Sequence, residues 1–186
     1  FMASYAVPLN SLGTKLTASA SFGDVEVVQG PSADDDVKGT SEYYSIRLDH
    51  PLYVTSETKW TIYGEWSRQK STTDFWDITI NDTQIDSWTG GLEAILLGVR
   101  SVFYATAVLS HEKSVEETFG QEWKQNIFTG NAFWRYRLTH SVTFTLSGAW
   151  QSVVSGDDLT TSQYFYLGHT SGVRGYENDV LSAEQG

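Results

Sequence analysis

A glycine-rich segment near the C-terminus contains the residues of this chain best suited to a specific interaction. Arg174 stands there between Val173 and Gly175. Its guanidinium offers five N–H donors in a rigid fork, so in a confined space it requires a carboxylate or carbonyl partner. Glycines nearby allow the backbone to follow a tight path close to other groups. The candidate residues of this segment are Phe165, Gly168, Gly172, Val173, Arg174, Gly175 and Tyr176.

Two interpretations of this segment are open from its residues alone. In the first, it belongs to a long loop that folds against other protein groups and is held there by Arg174. In the second, residues 172–176 form an ordinary solvated turn, because glycine and polar residues are common in turns. The choice between them depends on the structure that surrounds the segment.

A second group of charged residues lies in segments that alternate polar and apolar side chains. Its members are Arg47, Asp49, Glu65, Glu93, Arg135 and Arg137. They share the polar face of their segments, so they form either the wall of a polar channel or an active-site cluster. No Gly-x-Ser-x-Gly segment frames a nucleophile, and the 4 histidines are scattered without metal-ligand spacing. We therefore predict a channel wall, with no catalytic residue, no metal site and no cofactor.

Composition limits the class of protein to which the chain belongs. Its 186 residues are 14% aromatic and only 19% charged, with a mean hydropathy of −0.30. No stretch approaches the roughly 20 apolar residues of a membrane helix, whereas a membrane β-strand needs only about 9–11 residues. The net charge of −11 argues against a nucleic-acid partner. The absence of cysteine excludes disulfides and thiolate metal sites within these residues.

Period-two patterning recurs along the chain and predicts about eight β-strands. In the clearest case, Phe144, Leu146 and Trp150 lie on one face of a strand, and Thr145 and Ser147 lie on the other. The apolar face is predicted to point outward and the polar face inward. For the first strand (1–8) and the strand at 101–109, the sequence does not decide which face is which.

The connections between these segments alternate in length. Short turns are predicted near 10–13, 53–58, 97–100 and 139–141, and long polar loops at 23–39, 69–82, 111–125 and from 153 onward. Short turns at one end and long loops at the other are typical of bacterial outer-membrane barrels. A soluble β-sandwich is the alternative, but its inward face would be the apolar one. Aromatic residues near strand ends also fit the interfacial girdles of a barrel: Trp66, Trp88, Trp134 and Tyr136.

The segment from Phe165 to Tyr176 resembles a known family signature. It is similar to the Phe-x-x-Gly-Gly-x-x-Ser-Val-Arg-Gly-Tyr loop of the polypeptide-transporting outer-membrane β-barrels. The chain departs from that pattern at His169 and Gly172 and keeps the Val-Arg-Gly-Tyr core. Within this superfamily it most resembles TpsB, the two-partner secretion transporters that export haemolysins and filamentous haemagglutinin.

The resemblance implies a fold and a place in the cell. It implies an all-β, antiparallel, up-and-down transmembrane barrel, of which residues 1–186 are a part with about eight of sixteen strands. The loop at about 153–180 would lie in the lumen, with Arg174 paired to an aspartate on a later strand. The outward faces would contact outer-membrane lipid. Because Phe1 to Tyr5 alternates like the middle of a strand, we also expect both chain ends to be cuts through a longer protein.

The resemblance also implies a function without enzymatic activity. The protein would secrete a large exoprotein of the TpsA type across the bacterial outer membrane. Periplasmic POTRA domains, expected in the missing part of the chain, would receive that substrate. A barrel-assembly insertase of the same superfamily is one alternative, and a diffusion porin or an outer-membrane barrel enzyme is another.

Overall fold

Ten β-strands form the described part of the chain. The structure is a computed structural model, and it describes residues 1–26, 37–76, 78–118, 120–156, 165–167 and 181–183. The strands are β1 (Met2–Pro8), β2 (Lys15–Glu26), β3 (Val37–Val54), β4 (Thr58–Phe75), β5 (Ile78–Leu97), β6 (Ser101–Glu116), β7 (Gln121–Arg137), β8 (Thr143–Gly156), β9 (Phe165–Leu167) and β10 (Leu181–Ala183). Within these ranges no helix is long and apolar enough to cross a bilayer, a result that does not bear on strands.

Strands β1 to β8 form one antiparallel sheet in which each strand pairs with its neighbours in sequence. Strands β9 and β10 form a separate antiparallel pair. The up-and-down order and the uniform antiparallel pairing confirm the predicted fold class, an all-β partial barrel. A sheet of this kind forms because residues two apart share a face, so the apolar and polar sets separate along every strand.

The polar face of the sheet is the more buried one and the apolar face is the more exposed one, which is the reverse of the pattern in soluble proteins. Among the described residues, the buried hydrophobic ones are only Ala94 and Ile127, and the buried polar ones are Thr14, Ser45, Thr61, Ser87, Thr106, Ser114 and Gln125. Adjacent residues show the same contrast, since Ser45 is 7% exposed and Ile46 is 49% exposed. A soluble sandwich would bury the apolar face. The observed pattern therefore fits a membrane barrel.

The structure settles the two strand orientations that the sequence left open. In β1, Tyr5 and Val7 lie opposite Ala18 and Leu16 of β2, so they belong to the apolar face. In β6, Leu109 lies opposite Phe128 and Gly90 and belongs to that face as well. The polar face of β1 is marked by Ser4, whose hydroxyl hydrogen-bonds that of Ser19 at 3.1 Å.

The short turns are confirmed, but two of the predicted long loops are wrong. Strands β4 and β5 continue to Phe75 and from Ile78, so the connection at 69–82 shrinks to residues 76–77. Strands β6 and β7 likewise leave only residues 117–120 between them, where a loop over 111–125 was predicted. These stretches are mostly polar, and their few apolar residues do not give a clear hydrophobic alternation, yet their backbones remain paired. The strands therefore extend beyond the length needed to cross a membrane, with 20 residues in β5.

The other two predicted loops are described only at their ends. Strand β2 ends at Glu26 and β3 begins at Val37, within the segment predicted as a loop. Strand β8 runs to Gly156, so the last loop begins slightly later than expected. Residues 27–36 and 157–164 lie outside the described residues.

Candidate functional site

The arginine segment is bracketed by the short pair β9 and β10. Phe165 belongs to β9, and its cross-strand partner in β10 is Ala183. The sequence did not predict this pairing, and the only signals for it are two short runs, Phe-Tyr-Leu and Leu-Ser-Ala. The remaining residues of the predicted site lie outside the described residues: Gly168, Gly172, Val173, Arg174, Gly175 and Tyr176. Their role remains a prediction.

Four of the six predicted charges meet on the polar face of β3, β4 and β5. Arg47 Nε donates to Asp49 Oδ1 at 2.9 Å, and Arg47 Nη2 donates to Glu93 Oε1 at 2.7 Å. Glu65 lies opposite Arg47 across the strands, with its Oε2 3.8 Å from Arg47 Nη1. We call Arg47, Asp49, Glu65 and Glu93 the acidic cluster. One guanidinium thus hydrogen-bonds two carboxylates and lies near a third, and its planar fork fixes the directions of these contacts.

An aromatic ring packs against the acidic cluster, and the sequence alone did not indicate it. The Tyr63 ring lies under Arg47, with the guanidinium carbon 3.6 Å from the ring centroid. Tyr63 in turn covers Gly91, its cross-strand partner, so a Cβ at position 91 would collide with the ring. An aromatic residue laid across a glycine of the next strand fills the gap that glycine leaves in a sheet. The sequence signal was the spacing that pairs Tyr63 with Gly91, which is readable only once the register is known.

Further polar groups extend the acidic cluster along the polar face. Lys15 Nζ lies 3.9 Å from Asp49 Oδ2, and the Tyr43 hydroxyl donates to Glu65 Oε1 at 3.0 Å. The side chains of Arg47, Glu65 and Glu93 are 28%, 20% and 27% exposed. Each ion pair therefore contributes little alone, about 0–1 kcal/mol, although the network orders all of its members.

The other two predicted charges lie apart from the acidic cluster. Arg135 Cζ is 5.3 Å from the centroid of the Phe133 ring, on the polar face of β7. Arg135, Arg137 and Arg100 line a cleft of about 330 Å³ at the end of the sheet with the short turns. The polar face thus carries a mixed, mostly acidic patch in β3 to β5 and a basic patch near one end of β7.

The site contains no preformed metal centre among the residues that the structure describes, since no group of three histidine, aspartate or glutamate side chains is close enough to hold an ion. The acidic cluster holds its own counter-ion in Arg47. Its chemistry is that of a charged wall whose carboxylates and guanidinium are held in place by one another.

Two solved structures share this architecture. CdiB from Acinetobacter baumannii matches with a TM-score of 0.73 and 16% identity over 99% of this chain and 34% of that chain. CdiB from Escherichia coli matches with a TM-score of 0.68 and 17% identity over 92% of this chain and 34% of that chain. The chain thus spans about a third of their length, and at these identities the likeness concerns the fold.

Sequence comparison identifies the family. None of the curated proteins is detectably similar to the chain in sequence. The family model described as haemolysin secretion/activation protein ShlB/FhaC/HecB matches residues 1–186. This match confirms the resemblance to the TpsB two-partner secretion transporters that the Val-Arg-Gly-Tyr segment indicated. The chain therefore belongs to the ShlB/FhaC/HecB family of haemolysin secretion/activation proteins.

Proposed function

We propose that this chain is part of an outer-membrane transporter that secretes a large exoprotein of the TpsA type by two-partner secretion. The observation that carries the proposal is the family match along all 186 residues, on a sheet with one polar and one apolar face. The apolar face would contact lipid, and the polar face would line the path of the exported chain. Periplasmic POTRA domains in the rest of the protein would deliver that substrate.

The polar face has the chemistry that such a path requires. An unfolded polypeptide carries hydrated backbone groups and charges of both signs, so an apolar wall would bind it or exclude it. The acidic cluster presents carboxylates whose charge is balanced in part by Arg47. Ser45, Thr61, Ser87 and Thr106 surround it with small hydroxyl side chains. A wall of this kind offers many weak contacts and no single strong one.

The proposed gate of the path is the loop at about 153–180, held by Arg174. A wide barrel fills with water and needs a plug or gate. In the acidic cluster, Asp49 and Glu93 already accept short hydrogen bonds from Arg47. Each of these carboxylates keeps a second oxygen, so these contacts do not exclude a further partner. The family resemblance implies that Arg174 pairs with an aspartate on a later strand.

The test is secretion by arginine variants of the full-length transporter. Arg174→Ala should strongly reduce the exoprotein in the medium while the barrel remains in the outer membrane. Arg174→Lys should restore secretion only in part, because a point charge does not reproduce a bidentate contact. Arg135→Ala is the matched control, since it removes a polar-face arginine outside the loop, and it should reduce secretion much less than Arg174→Ala.

Normal secretion by the Arg174→Ala variant would contradict the gating role of the loop. An equal loss of secretion in the Arg174→Ala and Arg135→Ala variants would show that Arg174 is no more important than another arginine on the polar face. Membrane abundance of each variant must be measured beside secretion, because a barrel that fails to insert cannot report on transport.

A further inference from the structure

The apolar face of the sheet contains a groove where two glycines lie side by side. Gly64 of β4 and Gly90 of β5 are cross-strand partners, and nothing lies within 4 Å of a Cβ built at either position. The absence of both side chains leaves a depression of about 730 Å³, within the usual size range of small-molecule sites. We call this depression the glycine groove.

Large apolar side chains border the glycine groove. Leu48 and Leu109 flank the two glycines and are 43% and 51% exposed. Trp66 and Trp88 are cross-strand partners at one end, and Trp88 is 63% exposed. Tryptophan on the outward face of a membrane protein is typical of the level where a bilayer meets water. The groove therefore begins at the membrane interface and runs toward the hydrocarbon.

Polar and charged groups follow immediately beyond the tryptophans. His111 and Asn126 continue the tryptophan row across β6 and β7, and their side chains hydrogen-bond at 2.9 Å. The next row consists of consecutive cross-strand partners, here called the cation row: Arg68, Asp86, Lys113 and Lys124. Arg68 also lies over Trp66, with its guanidinium carbon 5.7 Å from the ring centroid.

The cation row keeps a positive excess after its own ion pairs are counted. Arg68 Nε bonds Asp86 at 2.7 Å, and Glu122 pairs with Lys113 at 3.1 Å and with Lys124 at 2.6 Å. Hydrogen bonds from Lys124 and Lys113 lower the pKa of the Glu122 carboxyl, so Glu122 stays charged. Among these five residues three cations thus face two carboxylates, an excess of one positive charge. Glu42 and the Lys70–Asp82 ion pair lie further out on the same face.

We propose that the glycine groove binds one acyl chain of an anionic, phosphate-bearing membrane lipid, whose phosphate lies at the cation row. The groove supplies an apolar channel of suitable size, the tryptophans mark its mouth, and the cations beyond them attract a phosphate. This inference rests on the membrane placement in the proposed function and is independent of secretion.

The test uses the purified full-length transporter in detergent, studied by native mass spectrometry with added phosphatidylglycerol. One phosphatidylglycerol molecule should remain bound to each barrel, and phosphatidylcholine with the same acyl chains should bind at least several-fold less. Gly90→Leu fills the groove and should remove the bound lipid. The double variant Arg68→Gln, Lys113→Gln should weaken binding about tenfold or more, because each basic side chain near a lipid surface contributes about 1 kcal/mol.

Gly148→Leu is the matched control for Gly90→Leu. It adds the same side chain on the same apolar face, at a glycine of β8 with open space around it and outside the groove. It should keep the bound lipid, and circular dichroism should show equal strand content in both variants. Secretion by Gly90→Leu, measured separately, reports on the proposed function and not on the lipid site.

Three results would overturn the lipid site. Equal retention of phosphatidylglycerol by Gly90→Leu and the wild type would show that the groove is not involved. Equal binding of phosphatidylcholine and phosphatidylglycerol would remove the role of the cation row. Displacement of the lipid by millimolar glycerol 3-phosphate would show a site for free phosphate in which the acyl chain has no part.

Discussion

The two faces of the sheet are built from alternate residues of the same strands, yet they follow opposite rules. On the polar face, Ser45 and Thr61 are buried among neighbours, and Arg47 has several partners. On the apolar face, Ile46 and Ile62 are 49% and 45% exposed. In water, each exposed apolar side chain of this size would cost on the order of 1 kcal/mol. The difference teaches that this sheet is made for two environments, lipid on one side and water on the other.

The largest expected effect comes from placing a charge on the apolar face. Ala107→Arg puts a cation on the apolar face of β6, midway between the row of Trp88 and the row of Trp134, and should destabilise the barrel in a bilayer by about 2–4 kcal/mol. Asn131→Arg on the neighbouring β7 places the same side chain on the polar face and should cost less than about 1 kcal/mol. Urea unfolding in lipid vesicles measures both. Equal destabilisation by the two variants would break the comparison between the faces.

A smaller effect is expected from two neighbouring glycines of β5. Gly91→Val should destabilise the barrel by about 1–3 kcal/mol, because the new side chain displaces Tyr63 from beneath Arg47. Gly90→Val adds the same atoms on the apolar face, where nothing lies within 4 Å, and should be close to neutral. The same unfolding experiment compares them. A greater loss of unfolding free energy for Gly90→Val than for Gly91→Val would show that the apolar face is the more tightly packed one, which contradicts this prediction.

Neutral substitutions in the acidic cluster should change conductance and leave stability nearly unchanged. Glu65→Gln together with Glu93→Gln removes two carboxylates from a wall that we place along the path, so cation selectivity should fall. Planar-bilayer reversal potentials under a salt gradient measure this change. Unaltered selectivity, combined with severe misfolding, would mean that the acidic cluster is structural and does not face the pore.

The smallest effect is expected at the cation row. Arg68 and Asp86 form a two-bond pair, but the Arg68 side chain is 46% exposed. A double-mutant cycle with Arg68→Ala and Asp86→Ala should give a coupling energy of about 0.2–1 kcal/mol. A coupling energy well above that range would show that the cation row lies in an environment with a lower dielectric constant than the headgroup layer.

The strand alternation was readable from the sequence because residues such as Phe144 and Thr145 must separate by face once a strand forms. The extent of the strands was not readable, since residues 69–82 and 111–125 are mostly polar and only backbone pairing reveals that they belong to β4 to β7. The acidic cluster was found as a set of inward charges. Tyr63 was missed as a member of the site, because its position depends on the register that pairs it with Gly91.

The glycine groove illustrates the same limit. Gly64, Gly90 and the two tryptophans are distant in sequence, and each alone is an ordinary strand residue. Only the register of β4 against β5 places glycine opposite glycine and tryptophan opposite tryptophan. A feature made of cross-strand pairs cannot be recognised from the spacing of residues within one strand.

The most direct test of the account is the environment of two adjacent residues in β8. Gly148 and Ala149 are both exposed and small, and they belong to the apolar and the polar face. Single cysteines are placed at these positions in a cysteine-free full-length transporter in vesicles. One sample is treated with a charged, water-soluble maleimide, and the rate of labelling is measured. A second sample is tagged with a fluorophore at the cysteine, and quenching by nitroxide-labelled lipid is measured. We predict rapid maleimide labelling at 149 with little lipid quenching, and slow labelling at 148 with strong quenching. Equal labelling and equal quenching at the two positions would contradict the assignment of one face to water and the other to lipid.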